Sequence, residues 1–142
     1  MSTEENKRLI RRSQDEGWNK ENLAVLDECY MPDIALWGAV SLADMKAWVL
    51  AYRKVAPDFR TTILDMIAED NKVVTRVKWT GTNTGPTYNP ALGGWLPPTG
   101  KPFSYTGIMI HEVVNGKIAT EIVESNYTDV LLEMGVNPTA TP

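Results

Sequence analysis

"HEVVNGKIATEIV", from His111 to Val123, is the stretch that decides the fold class predicted for this chain. Two runs rich in β-branched residues flank the dipeptide Asn115-Gly116. That dipeptide is the strongest short signal for a β-hairpin, because a type I′ turn needs positive φ at both central residues. We therefore expect two antiparallel strands, over residues 102–114 and 117–126, joined by a two-residue turn.

The rest of the chain divides into a helical part and a second hairpin. Residues 59–69 and 72–82 are extended runs joined by the polar turn "EDNK". Before them, Ser2 and Ser41 each precede an acidic residue at the capping-box spacing, and Asn22 can cap a short helix that ends near Pro32. Helices first and hairpins later indicate an α+β fold, with an early strand "DIALWG" and a four-stranded antiparallel meander.

Composition excludes several classes of function. With 14 Lys and Arg against 18 Asp and Glu, the net charge of −4 gives no basic surface for nucleic acid or an anionic membrane. Cys29 is the single cysteine, so an intrachain disulfide is excluded, and with His111 as the single histidine the usual zinc sites are excluded too. No apolar run predicts a signal peptide or a membrane span. We expect a cytoplasmic protein without a metal.

The chain has the length of one domain, which we place at residues 1–135. A last helix is expected between Asn126, as its cap, and Gly135, as its left-handed C-cap. The remaining segment, 136–142, is expected to be a flexible tail.

One long segment, "NTGPTYNPALGGWLPPTG" from Asn83 to Gly100, interrupts the strands. Loops of this length inside a domain are typically lids or binding loops. Tyr88 and Trp95 argue against a disordered linker, since such linkers contain few aromatic residues. We expect a lid or a rim of a pocket.

Three stretches resemble one family: "EGWNKENLAVLDECYMPDIALWG", "WTGTNTG" and "LPPTGKPFSYTGIMIHEVVNGKIATE". They are similar to SnoaL-like polyketide cyclases, also called ester cyclases, which belong to the nuclear transport factor 2-like superfamily. The resemblance covers most of residues 6–135. It implies a curved antiparallel sheet wrapped around the N-terminal helices to form a cone with an apolar cavity, a reaction without a cofactor, and a homodimer.

The resemblance also implies where the chemistry lies. The family often carries a His-x-Asp pair on the last strand, and those positions are Glu121 and Val123 in this chain. Two other positions that are often polar in the family are not polar in this chain. On the early strand this position is occupied by Trp37, and on the preceding strand, near Ile108, it is apolar. Glu121 is therefore the candidate catalytic residue, since a carboxyl group in aliphatic surroundings suits proton transfer.

Periodicity alone does not choose which face of the hairpin is buried, because both faces are mixed. A regular ladder places His111 and Tyr105 on the face opposite Glu121, and the resemblance selects the face of Glu121 as the inner one. The expected substrate-binding residues are Tyr30, Trp37, Trp79, Asn83, Trp95, Ile108, Ile110, Val123 and Ser125.

The favoured function is a cyclase or isomerase of secondary metabolism that folds an apolar polyketide- or terpenoid-like substrate and adds limited acid/base help from Glu121. An epoxide hydrolase or cyclising dehydratase on the same scaffold is one alternative, and it needs two converging carboxylates. A non-catalytic ligand-binding module is the other, since most of the family's acid/base positions are apolar here.

Overall fold

This computed structural model describes residues 1–36, 41–89, 93–127 and 129. The helical segments are α1 (Thr3–Arg12), a π-helical segment (Ser13–Trp18), α2 (Leu23–Cys29) and α3 (Leu42–Val55). The strands are β1 (Tyr30–Leu36), β2 (Arg60–Glu69), β3 (Lys72–Thr82), β4 (Thr87–Asn89), β5 (Gly94–Leu96), β6 (Pro102–Val114) and β7 (Lys117–Ser125). The predicted α+β class is confirmed.

Both predicted capping boxes are present. The Ser2 hydroxyl accepts a hydrogen bond from the Glu5 N–H, and the Glu5 carboxylate accepts one from the Ser2 N–H at 2.7 Å. Ser41 and Asp44 form the same reciprocal pair at the start of α3. The first helix is a regular α-helix as far as Arg12, and its continuation over Ser13–Trp18 is π-helical.

The second helix is shorter than the sequence predicts. It ends at Cys29, and Tyr30 already begins β1 instead of completing the helix. Pro32 lies inside β1, where it is tolerated because β1 is an edge strand of the sheet.

Five strands form one curved sheet in the order β1-β7-β6-β3-β2. The pairs β2–β3, β3–β6 and β6–β7 are antiparallel, as the meander predicts. The sheet is mixed and not purely antiparallel, because β1 runs parallel to β7. The early strand, β1, is therefore the edge strand next to β7, which carries Glu121.

A β-bulge in β7 changes the predicted register. Val113 pairs with Ile118, as a regular ladder from the Asn115-Gly116 turn requires, but Glu112 pairs with Thr120. Ala119 is therefore left without a partner in β6. A shift of one residue moves every later side chain of β7 to the other face relative to β6.

The bulge overturns the predicted division of the hairpin into two faces. His111 lies directly opposite Glu121, and both side chains point inward. The expectation that Ile108 and Ile110 share the face of Glu121 is wrong, since they lie on the outer face with 48% and 38% of their surface exposed. Tyr105, expected on the opposite face, is also on the inner one.

The interior has two parts that differ in side-chain type. The packed end is mainly aliphatic and joins α1, α2 and α3 to the turn end of β6 and β7, with Ile10, Leu26, Tyr30 and Ile118 each fully buried. The cavity end is mainly aromatic and lies beyond the bulge, around a buried group that includes Phe59, Val77, Trp79, Tyr105 and Met109.

The loop from Asn83 to Gly100 contains a small hairpin, β4–β5. Asn83 fixes its base: its main-chain carbonyl accepts from the Gly100 N–H at 2.9 Å, and its side-chain oxygen accepts from the Thr99 N–H at 2.8 Å. Tyr88 and Trp95 stack edge to face with ring centroids 5.3 Å apart, and both are exposed.

Some predicted features lie outside the described residues. These are Trp37, the tail 136–142 and the predicted last helix, apart from Tyr127 and Asp129, whose main-chain N–H donates to the Asn126 carbonyl at 3.0 Å. Among the residues that the structure describes, none belongs to a helix with the length and apolar character needed to cross a bilayer.

Candidate active site

A cavity of about 110 Å³ opens between the helices and the inner face of the sheet. Its walls are mostly aromatic, with one carboxylate and two further polar side chains besides three tyrosines. The lining residues are Gln14, Trp18, Met45, Trp48, Tyr52, Phe59, Trp79, Tyr105, Met109, Glu121, Val123, Ser125 and Tyr127.

Glu121 lies at the inner boundary of this cavity, where the packed end begins. The bulge at Ala119 turns its side chain inward, and only 5% of its surface is exposed. The Tyr30 hydroxyl donates a hydrogen bond to Glu121 Oε2 at 3.0 Å. Burial, followed by the nearby Glu121 charge, raises the pKa of Tyr30 well above its usual value, so Tyr30 is a neutral donor.

His111 contacts the same carboxylate oxygen from the neighbouring strand. Its Nδ1 lies 3.1 Å from Glu121 Oε2, and its Nε2 lies 3.4 Å from the hydroxyl oxygen of Thr75. The imidazole is fully buried, and its Nδ1 has no aligned hydrogen-bond partner among the described residues.

Both polar contacts of the Glu121 side chain within the described ranges go to Oε2. Oε1 is therefore the oxygen that remains for a ligand in the cavity. Such a carboxyl group can accept or return a proton, and the Tyr30 hydroxyl stabilises its ionised form. Removal from water strengthens each of these interactions.

The π-helical segment contributes two cavity residues, Gln14 and Trp18. The side-chain oxygen of Gln14 accepts a hydrogen bond from the Thr61 hydroxyl at 3.1 Å, which fixes the orientation of the amide. The guanidinium of Arg53 on α3 donates to the Trp18 carbonyl at 2.7 Å and so ties the segment to α3. Short π-helical segments are frequent at functional sites because they redirect side chains.

Apart from Trp37, which lies outside the described residues, the predicted substrate-binding residues occupy four kinds of position. Trp79, Val123 and Ser125 line the cavity, and Tyr30 lies behind Glu121 and holds it. Asn83 fixes the base of the loop instead of lining the cavity. The other three lie away from it: Trp95 is 68% exposed on the loop, and Ile108 and Ile110 are on the outer face.

Sequence reasoning missed several residues of this site. His111 was assigned to the wrong face, and the bulge that corrects this has no local signal in "KIATEIV". Trp48 and Tyr52 were interpreted as core because they lie on the apolar stripe of α3, yet both line the cavity. A core position and a cavity wall give the same helical periodicity.

No group of three His, Cys, Asp or Glu side chains within the described ranges is arranged to hold a metal ion. The polar centre of the site is Glu121 with the two side chains that contact its Oε2, Tyr30 and His111.

Comparison with known protein families identifies one family for this chain. The family model for SnoaL-like polyketide cyclases matches residues 8–134. No curated protein sequence matches the chain.

Solved structures share the fold along almost the whole chain. TsrD from Streptomyces laurentii is 21% identical with a TM-score of 0.83, covering 96% of this chain and 99% of that one. AclR from Streptomyces galilaeus, a proposed hydroxylase, is 25% identical with a TM-score of 0.80, covering 98% and 90%. IdmH from Streptomyces antibioticus, a proposed polyketide cyclase, is 22% identical with a TM-score of 0.77, covering 92% and 99%. The chain therefore belongs to the SnoaL-like polyketide cyclase family.

Proposed function

We propose that this protein is a cofactor-independent cyclase or isomerase of secondary metabolism that acts on an apolar polyketide- or terpenoid-like substrate. The observation that carries the proposal is a buried carboxylate, Glu121, with one oxygen hydrogen-bonded to Tyr30 and in contact with His111, and the other left for the cavity. The family assignment supports the class of reaction.

The aromatic walls supply the first part of the catalytic effect. Ring contacts join Trp18, Tyr52 and Phe59 on one side of the cavity, and Trp79 stacks on Tyr105. The positions of these rings are therefore fixed before a ligand enters. A flat unsaturated chain folded between such walls loses its alternative conformations, and reacting carbons are brought together.

Glu121 supplies the second part. Its carboxylate takes a proton from an activated carbon of the substrate and leaves an enolate. The enolate carbon either attacks a carbonyl carbon of the same chain, whose oxygen then takes the proton from the carboxyl group, or receives that proton at another carbon. Tyr30 keeps Oε2 in place throughout, and His111 lies against the same oxygen.

An epoxide hydrolase or cyclising dehydratase is less well supported. Such reactions need two carboxylates that converge on one bond, and among the described lining residues Glu121 is the single carboxylate. We therefore propose the proton-transfer reaction and treat a non-catalytic binding module as an outcome of the test.

The test uses benzoylacetone, an apolar aryl β-diketone whose methylene hydrogens are acidic. Exchange of these hydrogens with deuterated water is followed by NMR, and binding is followed by quenching of tryptophan fluorescence. Glu121→Gln should lower the catalysed exchange rate about a hundredfold or more, since general acid/base help contributes that much. Binding should be retained. Glu124→Gln, on the exposed outer face next to it, is the control and should exchange at the wild-type rate.

Two results would contradict the proposal. One is a Glu121→Gln variant that exchanges as fast as the wild type, and the other is a wild-type protein that binds benzoylacetone without accelerating exchange. The first would show that a group other than Glu121 accelerates the exchange, and the second would indicate a binding module.

The homodimer is a second proposal, and the outer face of the sheet supports it. Ile67, Val74, Ile110 and Ile122 are successive register partners across four strands. They form one apolar row, in which Ile67 is 64% and Ile122 is 51% exposed. Exposed apolar patches of this kind often mark interfaces. Light scattering should give a dimer mass for the wild type and a monomer mass for Ile122→Glu, and a monomeric wild type would refute the proposal.

A further inference from the structure

Three tyrosines line the cavity together with Glu121, and we name Tyr52, Tyr105 and Tyr127 the phenol cluster. They come from α3, from β6 and from the residues just after β7. The rings of Tyr105 and Tyr127 have centroids 5.1 Å apart. Burial raises the pKa of both, and the neighbouring Tyr52 raises each of them further.

Aromatic stacking holds the cluster in place. Tyr52 stacks on Phe59 with centroids 5.0 Å apart, and Tyr105 stacks on Trp79 at 4.8 Å. Gly107 makes room for this arrangement, because a Cβ there would lie 2.7 Å from the Trp79 ring. The rings are thus fixed before any ligand binds, which is the condition for a preorganised group of donors.

The hydroxyl groups have unused hydrogen-bonding capacity. Burial raises the pKa of Tyr52 and of Tyr105, and a hydrogen bond joins the two hydroxyls. In our proposal Tyr105 donates this hydrogen bond to Tyr52. Among the described residues, no other group bonds to these hydroxyls. The hydrogens of Tyr52 and Tyr127 remain for a ligand, and Tyr127 keeps its proton at neutral pH because burial raises its pKa to about 12.

The phenol cluster lies far along the cavity from the carboxylate. Glu121 is opposite His111 on β6, and the next inward positions toward the cluster are Met109, Gly107 and Tyr105. Six residues of strand correspond to roughly 20 Å between the main-chain positions of His111 and Tyr105. Glu121, a proton acceptor, and the neutral donors of the phenol cluster therefore belong to separate parts of the cavity wall.

We propose that the phenol cluster binds a carbonyl or enol oxygen of the substrate and stabilises the negative charge that develops on it. This rests on the proposed function. When Glu121 removes a proton from carbon, the proton stays on the carboxyl group and the C–H electron pair delocalises along the conjugated chain to the oxygen held by Tyr52 and Tyr127. The substrate class that fits is an elongated, conjugated chain with a carbonyl several bonds away from the carbon that meets Glu121.

The test uses para-nitrophenol, whose anion resembles a delocalised enolate and absorbs visible light. Its ionisation is titrated in the presence of the wild type and of Tyr52→Phe, Tyr105→Phe and Tyr127→Phe. The wild type should bind the anion at least about tenfold more tightly than Tyr52→Phe or Tyr127→Phe, because a hydrogen bond to a charged group is lost. Tyr105→Phe should give a smaller loss, since Tyr105 acts through Tyr52.

Tyr88→Phe is the matched control, because Tyr88 is exposed on the loop and does not line the cavity. It should bind the anion as the wild type does. Circular dichroism of each variant verifies that it is folded. The proposal is overturned if folded Tyr52→Phe and Tyr127→Phe both bind the anion as tightly as the wild type.

Glu121→Gln separates this proposal from the proposed function. The loss of affinity for the anion caused by the tyrosine substitutions should be the same with Glu121→Gln as without it, because the charge of the probe is bound by the phenol cluster and not by Glu121. If the exchange of benzoylacetone does not depend on Glu121 but the affinity for the para-nitrophenol anion still depends on the phenol cluster, the proposed function fails and the oxygen-binding site stands. The reverse pattern refutes the oxygen-binding site alone.

Discussion

The packed end and the cavity end of the interior are built from the same strands but filled in different ways. At the packed end, Leu26 lies so close to Gly17 that a Cβ on Gly17 would overlap it, and aliphatic side chains fill the space. At the cavity end, stacked rings such as Trp79 on Tyr105 form rigid walls that leave space between them.

The difference teaches how a small fold can keep an internal cavity. Aliphatic side chains adapt to their neighbours and close gaps, whereas flat rings that stack on one another keep fixed positions. Glu121 lies at the boundary, where Tyr30 from the packed end can hold it while its other oxygen meets the cavity. The packed end therefore stabilises the protein and also orients the carboxylate.

The largest expected effect is on stability. Leu26→Ala should lower the free energy of unfolding by about 2–5 kcal/mol, because the packed end cannot collapse around the lost side chain. Met109→Ala is the matched change at the cavity wall and should cost less, since Met109 already borders empty space. Urea denaturation measures both. Equal losses would mean that the two ends are packed alike.

The sequence predicted most of the fold because its signals are local. The capping boxes at Ser2 and Ser41, the turn at Asn115-Gly116 and the alternation of the strands each depend on a few neighbouring residues. The parallel pairing of β1 with β7 was missed, because nothing within either strand specifies a partner so distant in sequence. The β4–β5 hairpin lies inside a segment that reads as loop, since its strands have three residues each.

A second prediction concerns the contact that joins the two ends. Tyr30→Phe removes the hydroxyl that donates to Glu121 Oε2. The exchange of benzoylacetone should slow by about tenfold or more, which corresponds to one hydrogen bond to a charged group. The acidic limb of its pH–rate profile should move to higher pH, because the ionised carboxylate has lost a donor.

That shift of the profile distinguishes positioning from loss of packing. Leu26→Ala perturbs the packed end without touching the carboxylate, so its pH–rate profile should keep the wild-type position even if the protein is less stable. An unchanged profile in Tyr30→Phe would mean that Tyr30 only fills space.

The site was harder to predict than the fold, because a register shift of one residue decides which side chains of the β6–β7 hairpin face the interior. In a regular ladder Glu121 would face the same side as Ile110, and His111 would face away from it. The bulge at Ala119 brings His111 and Glu121 together and sends Ile110 to the outer face. Alternation gave no warning, since the hairpin has apolar residues on both faces. Strand patterns predict the existence of this hairpin much better than they predict its inner face.

The smallest expected effect comes from the tyrosines of the cavity end at alkaline pH. Burial raises the pKa of Tyr127 to about 12, while an unfolded tyrosine ionises at about 10. The folded state therefore holds this proton more tightly, so its stabilising contribution is complete below pH ~10 and is lost as the pH rises toward the folded value. The melting temperature of the wild type should fall across that interval, and the fall should be shallower in Tyr127→Phe. Tyr88→Phe, which changes a tyrosine exposed on the loop, should follow the wild-type curve. A Tyr127→Phe curve with the wild-type slope would mean that ionisation at the cavity end is not coupled to folding, and that the cavity is more open to water than its walls indicate.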